Sequence, residues 1–159
     1  MTRLYGRAVR GHRVIADVPG GHWKTWTMLS AINANGQMPT MVFEGGTDVA
    51  AMQAFVDWQL CPLLRPNDIV VMDNLAAHKS PSVTGAIESA GAKAWFLPTY
   101  SPDLNPIEQI WSKVKSLLKR IAARTDKQLM SAIKKAIEHV TQADILNSIL
   151  HAGYVNTFS

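Results

Sequence analysis

Two runs rich in strand-forming residues lie close together, Trp23 to Asn33 and Gln37 to Glu44, joined through Asn33-Ala-Asn-Gly36. That pattern predicts a β-hairpin with Asn35-Gly36 at its turn. The period then changes. From Thr47 to Leu60, the residues Met52, Phe55, Val56, Gln59 and Leu60 recur at helical spacing behind a cap at Thr47 or Asp48, and Pro62 and Pro66 close the run. Asp68 to Asp73 and Ala92 to Leu97 are short, continuous apolar runs of the kind that form strands buried on both faces. Between them Pro81 to Ala90 predicts a short helix stopped by Gly91.

The clearest periodicity lies from Pro106 to Ala123, where Ile107, Ile110, Trp111, Val114, Leu117, Leu118 and Ile121 fall on one face. Glu108, Ser112, Lys115 and Lys119 lie within about 60° of one another on the other side. Thr125 to Gln128 and Thr141 to Asp144 predict N-caps of two further helices. Hairpin, helix, strand, helix, strand, helix is an α/β layout with helices covering a mixed sheet, and its functional edge should lie at the carboxyl ends of the buried strands.

At 159 residues, 47% of them apolar, the chain has enough hydrophobic material for one folded domain. Within it, 1–22 reads as a basic leading segment and 125–159 as a helical extension. No apolar run is long enough to span a bilayer. Cys61 is the only cysteine, which excludes an internal disulfide, suits a reducing cytoplasm, and beside Pro62 reads as helix-end packing. The five Trp residues, at 23, 26, 58, 95 and 111, fall in apolar patterns and are expected in the core. Net charge is +4, unevenly spread: five Lys/Arg against one acid over 1–24, three against eight over 25–109, and eight against three over 110–159. An acidic middle between basic ends points to a cation site beside a polyanion-binding surface.

Asp73 ends a predicted strand, where a metal-ligating carboxylate is best positioned, although it could equally cap the turn that follows. Asn74 and His78 in that turn are candidate supporting groups. Glu108 lies in the first turn of the longest helix, and Asn105, Pro106 and Glu108 fit N-cap, N1 and N3 of a capping box. Capping and chemistry are compatible, since a carboxylate has two oxygens, and Pro98, Pro102 and Pro106 lock the approach to Glu108. Two carboxylates are suited to Mg²⁺ (or Mn²⁺), whose remaining positions go to water and substrate phosphate, and two such ions would serve phosphodiester cleavage or transfer. The P-loop, H-E-x-x-H and G-x-S-x-G patterns are absent.

The stretches Val71 to Lys79 and Leu97 to Lys115, containing Tyr100-Ser-Pro-Asp-Leu-Asn-Pro-Ile-Glu108, resemble the end of the catalytic domain of bacterial insertion-sequence transposases of the mariner superfamily. Thirty-four residues separate Asp73 from Glu108, a spacing typical of the last two acids of that family's Asp, Asp, Glu triad. The resemblance extends from His22-Trp23-Lys24-Thr25 to His151-Ala152-Gly153-Tyr154. It implies a ribonuclease-H-like fold, Asp73 and Glu108 as second and third catalytic acids and metal ligands, and cut-and-paste DNA cleavage and joining. The partners it implies are transposon terminal repeats, target DNA, and an upstream transposase half or a second copy, in a bacterial cytoplasm at the nucleoid. The family's first Asp lies on an opening strand expected to be missing here, as is its helix-turn-helix. Asp17 lies too near the hairpin to replace that Asp and reads as a turn residue.

Lys113, Lys115, Lys119 and Arg120 are expected to contact DNA phosphates, with Arg124 continuing the stripe and the N-terminal arginines as a further option. Two alternatives remain: an inactive fragment that only binds DNA or transposase, and a nuclease whose third carboxylate is Asp17 or Asp103.

Overall fold

The computed structural model describes residues 7–13, 15 and 24–154. Asp17, Arg3, His22 and Trp23 lie outside the described residues, so the readings placed on them stay with the sequence.

The predicted hairpin forms as β1 (Trp26–Ser30) and β2 (Thr40–Glu44), antiparallel, in register from Trp26 opposite Glu44 to Ser30 opposite Thr40. Its pairing continues toward the turn, with Ala31 N–H donating to Pro39 C=O (3.2 Å) and Asn33 N–H to Gln37 C=O (3.2 Å). Asn33 Oδ1 accepts from the amides of Asn35 (3.1 Å) and Gln37 (3.0 Å), and Gly36 closes the turn at φ +78°. Only glycine suits that position, because a Cβ would also lie 2.4 Å from Gln142 Cγ.

Asp48 caps α1 (Val49–Phe55) by accepting from Ala51 N–H at 2.7 Å. The helix continues through a wider turn over Val56–Leu60 and a tight one over Cys61–Leu63. Next come β3 (Ile69–Met72), α2 (Pro81–Ser89) and β4 (Lys93–Phe96), with β3 and β4 parallel and Val71 opposite Trp95. A first core joins Met52, Phe55, Val56 and Leu60 to Met72, Val83 and Ile87, and Leu29 and Met41 from one face of the hairpin pack on it.

The other hairpin face, through Met28 and Val42, meets a second core made by α3 (Ile107–Ile121), α4 (Asp126–Glu138) and α5 (Gln142–His151). Ile110, Val114 and Leu118 are its contribution from α3, as the periodicity of that segment required. The hairpin is thus sandwiched between two helical layers.

Three expectations need correction. The strands form two separate two-stranded sheets among the described residues, β1–β2 and β3–β4, not one mixed sheet. Among the described residues the β3–β4 pair is covered on one face only. Val70, Met72 and Ala94 face the first core, whereas Ile69 is 49% exposed and Trp95 60% exposed on the opposite face. Trp58, 73% exposed on the wide turn after α1, is likewise outside the core, while Trp26 and Trp111 are half-buried.

The two threonine caps form as expected. Thr125 Oγ1 accepts from Gln128 N–H, and Thr141 and Asp144 make a reciprocal capping box. The capping box expected of Asn105 and Glu108 does not form. Glu108 N–H donates to the backbone carbonyl of Asn105 (3.1 Å), so the amide that the Asn105 side chain would have satisfied is already bonded.

Candidate functional site

Leu97 N–H donates to Met72 C=O at 2.8 Å, carrying the parallel pairing to the carboxyl ends of β3 and β4. The side-chain amide of Asn74 donates to the Leu97 carbonyl across the same ends. Asn74 therefore clamps the strand ends, and its nitrogen is occupied. Asp73, one residue past β3, is held on this clamp. Its Oδ1 accepts from Leu75 N–H (3.1 Å), which is the turn-capping role weighed above, and lies 2.6 Å from His78 Nδ1. The His78 side chain is 15% exposed and the Asp73 side chain 45%. His78 Nδ1 is out of line for a hydrogen bond to Asp73 and has no other partner. Asp73 Oδ2 accepts no hydrogen bond among the described residues and is the oxygen available to a ligand.

From Leu97 the chain leads through Pro98 and a fully exposed Tyr100, at φ +59°, to a tight turn over Pro102–Leu104 and then to α3. The Tyr154 hydroxyl donates to the Leu104 carbonyl at 2.9 Å, pinning this loop, and partial burial raises the Tyr154 pKa. Glu108 is exposed in the first helical turn, where the macrodipole favours a negative charge. Asp73, Asn74 and His78 are thus brought together at the end of β3, and Asn105 and Glu108 stand at the next element start. Among the described residues no three His, Cys, Asp or Glu side chains gather as a metal cage.

Ser112, Lys115, Ser116, Lys119 and Arg120 line a shallow groove along the face of α3 that begins at Glu108. Lys113 is not part of it. Its ammonium pairs with Asp144 Oδ2, joining α3 to the cap of α5. The partner was missed, but the helical wheel already set Lys113 about 140° from Glu108. Lys113, with the hydroxyl and N–H of Thr141, holds the Asp144 carboxyl down at about 2. Cys61 donates to the Ala86 carbonyl at 3.7 Å, and burial, with Asp57 nearby, pushes its thiol pKa up, so it is helix-end packing and no nucleophile.

The family model of the DDE superfamily endonucleases matches residues 1–130, most of the chain. The chain belongs to this family. Both candidate acids of the DDE endonuclease lie within the match, which ends inside α4 and leaves α5 and Asp144 outside it. No protein of curated function matches the chain. Membership implies DNA as the substrate, strand cleavage as the reaction class and divalent metal in general. The donor set agrees chemically: Asp73 and Glu108 offer hard carboxylate oxygens, and two carboxylates leave the rest of an octahedral shell to water and phosphate. No helix among the described residues is long and apolar enough to cross a membrane.

Proposed function

We propose that this DDE endonuclease is the downstream part of a transposase catalytic domain with a ribonuclease-H-like fold, of the bacterial insertion-sequence and mariner type, that cleaves and joins DNA. One observation carries the reading: Asp73 stands at the clamped carboxyl end of β3, and the chain leaving the clamp at Leu97 leads directly to Glu108 on α3. Asp73 Oδ2 and the Glu108 carboxylate would hold Mg²⁺ or Mn²⁺, which when bound supplies activation of the attacking oxygen and stabilisation of the leaving one. Leu75 N–H fixes the Asp73 carboxylate in place, with His78 packed beside it, and Lys115 and Lys119, with Ser112 and Ser116 beside them, hold the DNA backbone along α3.

The third acid comes from a further strand. The hairpin and the β3–β4 pair both pack on the α1–α2 layer, each two-stranded among the described residues, and a further strand pairing with both would merge them. An Asp at the end of that strand would stand beside Asp73. The absence of a three-acid cluster among the described residues supports a second reading, in which these residues alone only bind DNA.

Nicking of supercoiled plasmid separates the two. Residues 1–159 alone should nick negligibly in Mg²⁺ or Mn²⁺, and the same chain joined in register to an upstream segment ending a strand in Asp should nick, with Asp73→Ala or Glu108→Ala abolishing it. Robust nicking by residues 1–159 alone would overturn the shared-site reading. A joined chain that stays inactive would favour the binding-only reading.

A further inference from the structure

We infer that the DNA path does not end with the face of α3 but turns onto the carboxyl-terminal end of α4, where Arg120, Lys135 and His139 form a second phosphate anchor. This rests on the functional reading above and extends it to a site outside the family match. A groove between α3 and α4, about 380 Å³, has Leu117, Ile121 and Ala136 as its apolar lining and Arg120, Lys135 and His139 as its polar groups. All three polar residues are exposed, and no acid lines the groove. Arg120 lines this groove and the Ser112–Lys119 groove alike, so the two meet at this residue. His139 Nδ1 donates to the Lys135 carbonyl at 2.7 Å, which orients the ring and leaves Nε2 for a ligand.

Charge accounting identifies the occupant. From residue 110 onward the chain has three acids, and each is already in an ion pair: Asp126 with Lys24, Glu138 with Lys134, Asp144 with Lys113. Among the described residues, Lys115, Lys119, Arg120 and Lys135 of α3 and α4 are in no ion pair and present positive charge along the two grooves that meet at Arg120. A polyanion with apolar sugar edges fits a groove of cations over Leu117 and Ala136 better than an acidic peptide does. The length also fits a duplex. Arg120 lies twelve positions after Glu108, about 18 Å along the helix, which is about five base pairs of DNA.

The test is fluorescence anisotropy of a labelled 20-base-pair duplex of mixed sequence across 50 to 300 mM KCl, with the full chain and two double variants. Both pairs are exposed, and circular dichroism would check folding, with Arg120→Gln/Lys135→Gln as the replacement should the alanine pair fold poorly. Arg120→Ala/Lys135→Ala should weaken binding at least about tenfold at low salt and reduce the slope of log affinity against log salt by about two. An unaltered slope in Arg120→Ala/Lys135→Ala, with a reduced slope in Lys115→Ala/Lys119→Ala, would overturn the second anchor and leave the functional reading standing. Unaltered slopes in both would overturn both. Competition by polyglutamate as effective, charge for charge, as that by unlabelled duplex would show a general polyanion surface and overturn the assignment to DNA.

Discussion

One oxygen of Asp73 serves the fold, by capping the Leu75 turn and facing His78, and the other accepts no hydrogen bond among the described residues. The position of this acid was legible in the sequence because a strand end followed by a polar turn is a local pattern. Lys113 was not, because its partner Asp144 lies 31 residues away on another helix. The difference between the two capping boxes is equally physical. Thr141 and Asp144 satisfy each other's amides, whereas at Asn105 a tight turn lets the backbone carbonyl take the Glu108 amide first. Because the Asp144 pKa is lowered in the folded state, its contribution is complete above the ordinary carboxylate range and is lost as pH falls from about 4 toward about 2. Lys113→Met should therefore cost about 0.5–1 kcal/mol at pH 7, the scale of a partly exposed pair, and the difference from the parent should shrink at pH 3 in urea titrations. Ala122 ends α3 at φ +49°, a left-handed conformation that penalises a Cβ, so Ala122→Gly should raise stability by about 0.5–1 kcal/mol. An unchanged or lower urea midpoint would show that the strain is relieved elsewhere.

At the scale of elements, the sequence was read well wherever one face packs against one neighbour. The long periodic face of α3 forms as expected, and so does the hairpin, because alternation and turn chemistry are local. Misplacement came where apolar content was equated with burial. Met52, Phe55, Val56 and Leu60 set the inward side of the α1 segment, and Trp58, three residues after Phe55, matches the helical period, so its exposure on the wider turn over Val56–Leu60 was not available from that period. In β4 the inward residue is Ala94, and strict alternation turns Trp95 outward. This contrast is measurable within one element. Phe55→Ala, at 3% exposure, should cost about 3–5 kcal/mol, and Trp58→Ala should stay within about 0.5 kcal/mol of the parent. Equal losses in chemical denaturation would mean that Trp58 packs against a surface outside the described residues.

At the scale of the molecule, among the described residues the hairpin is the sheet covered on both sides, between the α1–α2 layer and the α3–α5 layer, while β3–β4 is covered by the first alone. No local pattern could reveal that imbalance, since a continuous apolar strand reads the same whether its second face meets a helix of its own chain or something else. Among the described residues the outcome is a face with exposed Ile69 and Trp95 beside strand edges that pair with no third strand, a combination that favours association. Residues 1–159 should accordingly show concentration-dependent sedimentation, and Trp95→Lys should suppress it. Because Trp95 contributes little to either core, the same substitution should leave the urea midpoint of dilute protein within about 0.5 kcal/mol of the parent. The joint pattern is decisive: suppressed association with unchanged stability identifies the open β3–β4 face as a docking surface for further chain. Unchanged association in Trp95→Lys would remove that face from consideration, and with it the argument that the two sheets are parts of one larger sheet.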